Sequence, residues 1–156
     1  MRLLLIEDDE LKRLAVVDFL RSVLSDLVIT EAHSFQSGLR RIVDGHYDLI
    51  LLDMTMPTFD IDEAEDGGRP QSYAGRELLR NKKLRGRSDP TLVVTQFDRF
   101  GVGREALTLE ALDAELRRGY PQIYLGSVFY GAGDEEWKRR LREVLTTVSQ
   151  SGRGEA

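Results

Sequence analysis

Residues 3–13 read LLLIEDDELKR. Leu3, Leu4, Leu5 and Ile6 form an unbroken apolar run that stops at Glu7, Asp8, Asp9 and Glu10, the pattern of a short strand buried on both faces. Beyond it, Leu11, Leu14, Ala15, Phe19, Val23 and Leu24 recur at helical spacing, and Asp9 is placed to cap the helix entrance. The alternation continues outward. Leu27 to Thr30 reads as a second strand, Ser34 caps a helix through Leu39 and Ile42 that Gly45 ends, and Leu49 to Leu52 is a third strand terminating in Asp53. Ala74 to Leu84 is a helix and Thr91 to Thr95 a fourth strand. A helix with Leu109, Leu112 and Leu116 on one face closes at Gly119, and Gln122 to Leu125 makes a fifth strand. A last helix, capped by Asp134, turns Trp137, Leu141, Val144, Leu145 and Val148 inward.

Five short strands alternating with five helices require crossovers, and right-handed crossovers cover both faces of a parallel sheet. The expected fold is α/β, a doubly wound five-stranded parallel sheet occupying residues 1–148, with 149–156 a flexible tail. Two insertions interrupt it. Residues 58–74 carry Gly67, Gly68 and Pro70 with acids at Asp60, Asp62, Glu63, Glu65 and Asp66, which reads as a long solvated loop, and residues 96–107 form the second.

The chain has 156 residues, 22 Lys plus Arg against 27 Asp plus Glu, a formal net charge of −5 and no cysteine. Disulfides and thiolate-held metals are thereby excluded. Hydrophobic residues at 41% and charged residues at 31% suit one globular domain rather than a disordered chain. No apolar run is long enough to cross a bilayer and no secretion signal is evident, so the expected location is cytoplasmic. An acidic balance without a Lys/Arg cluster argues against direct nucleic-acid binding.

In doubly wound folds ligands sit outside the carboxyl ends of the strands. Glu7 and Asp8 end the first strand, Asp53 the third and Thr95 the fourth. With the first and third strands adjacent, three carboxylates converge, a cluster of hard oxygen ligands suited to Mg2+ or Mn2+. A carboxylate there is a nucleophile for phosphorus, and Thr95 a hydrogen-bond donor to a transferring oxygen.

These residues resemble the receiver domain of two-component response regulators. The resemblance is carried by LLLIEDDELKR, by DLILLDMTMP at 48–57, GRELL at 75–79 and TLVVT at 91–95, and spans Arg2 to Val148. It implies a flavodoxin-like sheet of order 2-1-3-4-5. Asp53 would be the phosphoacceptor, Asp8 and Asp53 metal ligands, Glu7 a ligand through water and the Thr55 carbonyl a further ligand. Thr95 would take the hydroxyl role and Tyr124 that of the switch aromatic. The implied partner is a histidine kinase or histidine phosphotransfer protein. Output would pass through a changed protein-binding face, since no effector domain follows Val148, and the protein would be no enzyme beyond autodephosphorylation.

The sequence departs from the family in three ways. The usual strand-five lysine is missing from Ile123 to Val128, leaving Ser127 in its place; Gln96 follows Thr95 where a small residue is usual; and the two insertions flank the site. Arg99 and Arg69, on those insertions, are candidates for the missing positive charge. Phe129 and Tyr130 offer apolar surface for a homodimer. The alternative is a degenerate receiver acting as a protein-interaction module without phosphorylation. A Mg-dependent phosphohydrolase of the haloacid-dehalogenase type is more remote, because the second aspartate that family needs two residues after the nucleophile is Thr55 here.

Overall fold

The apolar runs pair side by side. In the computed structural model, which describes residues 1–61 and 70–153, β1 (Arg2–Ile6) lies between β2 (Val28–Ala32) and β3 (Leu49–Leu52). Then come β4 (Thr91–Thr95) and β5 (Tyr124–Phe129), completing a parallel sheet of order 2-1-3-4-5. The helices are α1 (Glu10–Val23), α2 (Phe35–Asp44), α3 (Ala74–Leu84), α4 (Leu109–Gly119) and α5 (Glu136–Arg153). The expected doubly wound fold is what forms.

Strand pleating splits each apolar run between two cores. Leu3 and Leu5 pack with Val16, Phe19 and Leu20 of α1 and with Trp137, Leu141 and Leu145 of α5. Leu4 and Ile6 pack on the other side with Ile42 of α2, Leu78 of α3 and Leu112 and Leu116 of α4. Each such fully buried aliphatic side chain contributes about 1.5–3 kcal/mol. The caps are as the sequence suggests: the Lys12 amide donates to Asp9 at 3.0 Å, and Ser34 and Ser37 cap each other's backbone at the start of α2.

Four local features differ from expectation. The buried face of α1 is Lys12, Val16, Phe19 and Leu20, while Leu11 is 81% exposed and Leu14 is exposed. The helix is thus rotated by one residue, with a lysine in its core stripe. Helix α5 runs on through Arg153, so the segment from Ser149 is helical where a tail was expected.

The insertions also have built ends. Met56–Pro57 pairs antiparallel with Pro70–Gln71, and Arg99–Phe100 with Leu107–Thr108. The Tyr73 hydroxyl is 2.9 Å from the carbonyls of Phe100 and Glu105, and Phe100 is buried. Asp62, Glu63, Glu65, Asp66, Gly67, Gly68 and Arg69 lie outside the described residues.

Finally, β5 ends at Phe129 rather than near Leu125. Thr91 stands opposite Tyr124 but Leu92 opposite Gly126, a bulge in which Gly126 adopts φ 138°, a conformation costly for any side-chain-bearing residue. The strand end therefore shifts to Phe129, opposite Thr95.

Candidate functional site

Register builds the site. Ile6 pairs with Leu52 and Leu52 with Val93, so the residues that follow each of these strands emerge at one level. The Asp53 amide donates to the Ile6 carbonyl at 3.0 Å and the Glu7 amide to the Ala32 carbonyl at 2.9 Å, which fixes the strand ends side by side. Glu7, Asp8 and Asp53 consequently each bring one carboxylate oxygen within 4.8 Å of the others, with Glu7 and Asp53 buried and Asp8 exposed. Helix α3 abuts the end of β3 directly. A Cβ on Gly75 would come within 2.7 Å of the Asp53 carbonyl, so the glycine of GRELL is a requirement of close approach.

A residue that the strand-end reading missed completes the pocket. Lys12 projects from the first turn of α1, where side chains lean back toward the helix N-terminus and hence toward the strand ends. Its Nζ lies 2.5 Å from Glu7 Oε2 and 3.3 Å from Asp53 Oδ1, and donates to the Val94 carbonyl at 2.8 Å. Asp53 Oδ1 also accepts from the Met54 amide at 2.8 Å, so both contacts hold the same oxygen. The signal was present in the sequence: Lys12, Val16, Phe19 and Leu20 share a 3-4 spacing in which only Lys12 is polar.

The acids are electrostatically frustrated. Burial and the adjacent Asp53 push the Glu7 carboxyl up to about 8, against the pull of Lys12. Burial raises Asp53 although Lys12 and a hydrogen bond with Glu7 act in the opposite direction, and burial together with Asp53 raises Asp8. Three carboxylates share one ammonium, and a second, divalent charge would relieve the excess. The donor set fits such an ion, since all three side chains offer hard oxygen.

Thr95 is fully buried at the end of β4; its hydroxyl oxygen accepts from the Phe97 amide at 3.2 Å, leaving its own proton available. The Thr55 side chain donates to the Ser72 carbonyl at 3.2 Å and so ties the segment after Asp53 to the far end of the first insertion. Gln96 is half-buried.

Tyr124 and Ser127 belong to another part of the molecule. The Tyr124 hydroxyl donates to Asp113 Oδ1 at 2.5 Å and the Ser127 hydroxyl to the same oxygen at 3.2 Å, while Arg117 Nε donates to Asp113 Oδ2 at 2.9 Å. The expectation that Ser127 takes the lysine's place beside Asp53 is therefore corrected. The Gly126 bulge puts Ser127 opposite Val93, two residues short of the strand end, with its hydroxyl on α4. Arg99 is exposed in its short ladder, and the cation paired with Asp53 among the described residues is Lys12. Phe129 is exposed, but Tyr130 packs on Trp137 with ring centroids 5.0 Å apart.

No family model matches the chain. It is 34% identical over 154 residues to the uncharacterized protein y4jR of Sinorhizobium fredii, covering 96% of this chain and all of that protein. It is 30% identical over 150 residues to the Detocs response regulatory protein DtcB of Enterobacter cloacae, covering 95% of this chain and all of that one. Among solved structures it resembles the response regulator TrrA of Thermotoga maritima in complex with Mg2+–BeF, with TM-score 0.61, 16% identity, and 94% of this chain and 97% of that one covered. It also resembles a structure of the CheA3 P1 domain in complex with CheY6 from R. sphaeroides, with TM-score 0.60, 20% identity and 96% of each chain covered.

Proposed function

The chain belongs to the receiver family of response regulators in two-component signalling, and on that premise we propose that it accepts a phosphoryl group on Asp53. The observation that carries the reading is the convergence of Glu7, Asp8 and Asp53 at the strand ends with more negative charge than the protein itself neutralises. An Asp53 carboxylate oxygen attacks phosphorus; the new bond is an acyl phosphate O–P bond. The P–N bond of a phosphohistidine donor breaks, its electron pair remaining on the imidazole. Asp8, Asp53 and the Thr55 carbonyl would hold a Mg2+ or Mn2+ ion directly and Glu7 through water. When bound, that ion supplies positive charge against the oxygens of the transferring group.

Thr95 donates its free hydroxyl proton to a phosphoryl oxygen, and β4, which pairs Thr91 with Tyr124, carries the change to the Tyr124–Asp113 contact on the α4–β5 surface, a two-state element biased by a local charge. The donor is a histidine kinase or histidine phosphotransfer protein, a kind of partner consistent with the P1 complex of the CheY6 neighbour. The protein is a phosphoacceptor whose own site returns the group slowly to water, and not a turnover enzyme. No helix among the described residues is long and apolar enough to cross a membrane, and the proposed setting is the cytoplasm.

One observation favours a second reading, a pseudo-receiver that serves as an interaction module: Lys12 already pairs with both buried acids. Amide spectra recorded with Mg2+ and beryllofluoride separate the two. The phosphoacceptor reading expects shifts at Asp53, Thr95 and Tyr124 that Asp53→Asn abolishes. An unresponsive wild type would favour the interaction module.

A further inference from the structure

We propose that Lys12, from the first helix, is the residue that pairs with the acceptor carboxylate and with the phosphoryl group it receives, the task that the fifth strand of this chain carries no lysine to perform. The inference rests on the phosphoacceptor reading of Asp53 and assigns that site a contact which the end of β5 does not supply.

Three observations carry it. The first is position. Lys12 is 2% exposed, on the apolar face of α1, and its ammonium touches Asp53 Oδ1, Glu7 Oε2 and the Val94 carbonyl. A lysine is rarely buried so completely unless its charge is paired or used. The Val94 bond adds a neutral anchor from the neighbouring strand, so the ammonium stays at the strand ends even when a carboxylate moves away from it.

The second is exclusion among the described residues. Ser127 is engaged by Asp113, and Arg99 is exposed on its ladder. Among the described residues the ion pairs of Asp53 are with Lys12 alone.

The third is charge balance. Once a divalent ion holds all three acids ionised, Glu7, Asp8 and Asp53 bring three formal negative charges, of which Lys12 cancels one. A divalent ion cancels the other two. A dianionic phosphoryl group arriving on Asp53 then meets a pocket without net repulsion, and the ammonium is already in place to donate to it through charge-assisted hydrogen bonds. Two-centre pairing at rest also shows how the switch is set: Lys12 leaves Asp53 Oδ1 for the phosphoryl oxygen while Glu7 and Val94 keep hold of it.

The test uses the full chain and beryllofluoride with Mg2+ as the phosphoryl mimic. In wild type, the 15N resonance of the Lys12 side-chain ammonium is expected to shift on adding beryllofluoride to the Mg2+-loaded protein. Lys12→Met and Lys12→Gln should lose affinity for beryllofluoride about tenfold or more. They should bind Mg2+ alone no more weakly than wild type, which a merely structural lysine would not separate. Ser127→Ala should respond as wild type does.

A Lys12 ammonium signal that beryllofluoride leaves in place overturns the proposal whether or not the variants fold. So does a folded Lys12 variant with wild-type beryllofluoride affinity. A wild type in which no amide responds, or an Asp53→Asn protein that responds normally, would instead strike the phosphoacceptor reading itself, and the inference with it.

Discussion

The protein buries two lysines, one at each end of its parallel strands, and they keep very different company. Lys82, fully buried at the end of α3, donates to the Asp89 carbonyl at 2.7 Å and lies 3.6 Å from the Asp89 carboxylate. Asp89 also accepts from the Tyr47 amide at 2.9 Å and from Arg87, which reaches on to the carbonyls of Ile42 and Gly45. There one acid meets two cations and a backbone donor. Burial opposes its charge, but the Tyr47 amide, Lys82 and Arg87 together hold the Asp89 carboxyl below its ordinary value. At the carboxyl ends of the strands one lysine meets an acid cluster, and Glu7, Asp8 and Asp53 are all raised. The first knot is closed and ties α2, α3 and the starts of two strands together. The second is left short of positive charge, which is a cost to folding and an opening for a ligand.

Substitution should expose the contrast most strongly. Asp89→Asn leaves Lys82 buried without its counter-charge and should cost about 3–5 kcal/mol in urea unfolding. Asp53→Asn removes one of the crowded acids and should leave stability unchanged or raise it by about 1 kcal/mol. An Asp53→Asn loss as large as that of Asp89→Asn would mean that the two lysine sites are alike.

Divalent metal should act on one knot alone. Mg2+ at about a hundredfold over its dissociation constant should stabilise the wild type by about 2.7 kcal/mol, read as a rise in Tm. Asp53→Asn should largely remove that rise.

The acid limb of the stability profile should owe part of its fall to the Asp89 knot. Because the folded pKa of Asp89 is depressed, its contribution is present above the ordinary aspartate range, where the unfolded chain has already lost its proton. It is lost as pH falls through the depressed value. Asp89→Asn should flatten that limb relative to wild type in denaturant titrations from pH 6 downward. The smallest effect should come from the α4–β5 contact: Tyr124→Phe deletes the bond to Asp113 and should cost about 1 kcal/mol, with the Mg2+ response intact.

The two ends of the strands also differ in how readily they can be read from sequence. Buried parallel strands announce themselves as short all-apolar runs, and the acids that stop those runs mark the carboxyl end of the sheet. Ile6 opposite Leu52 then brings Glu7 to Asp53 without any further assumption. The partner of those acids is harder to see. A lysine on an amphipathic helix ordinarily belongs to the wet face, and reading Leu11 and Leu14 as the buried stripe turned Lys12 outward. The end of β5 was obscured by a different cause, one extra residue at the Gly126 bulge, which moves every later side chain and carries Ser127 away from the site. The insertions concealed their folded ends because two-residue ladders have no period to detect.

The central claim is that Asp53 is the phosphoacceptor of a pocket that the protein leaves short of positive charge. It is tested most directly by intact-mass measurement after incubation with Mg2+ and acetyl phosphate, in which the P–O bond breaks with its electron pair leaving on acetate as Asp53 takes the phosphoryl group. The wild type should gain the mass of one phosphoryl group, and Asp53→Asn should gain none. A wild type that gains no mass, or an Asp53→Asn protein that gains the same mass, would contradict the account.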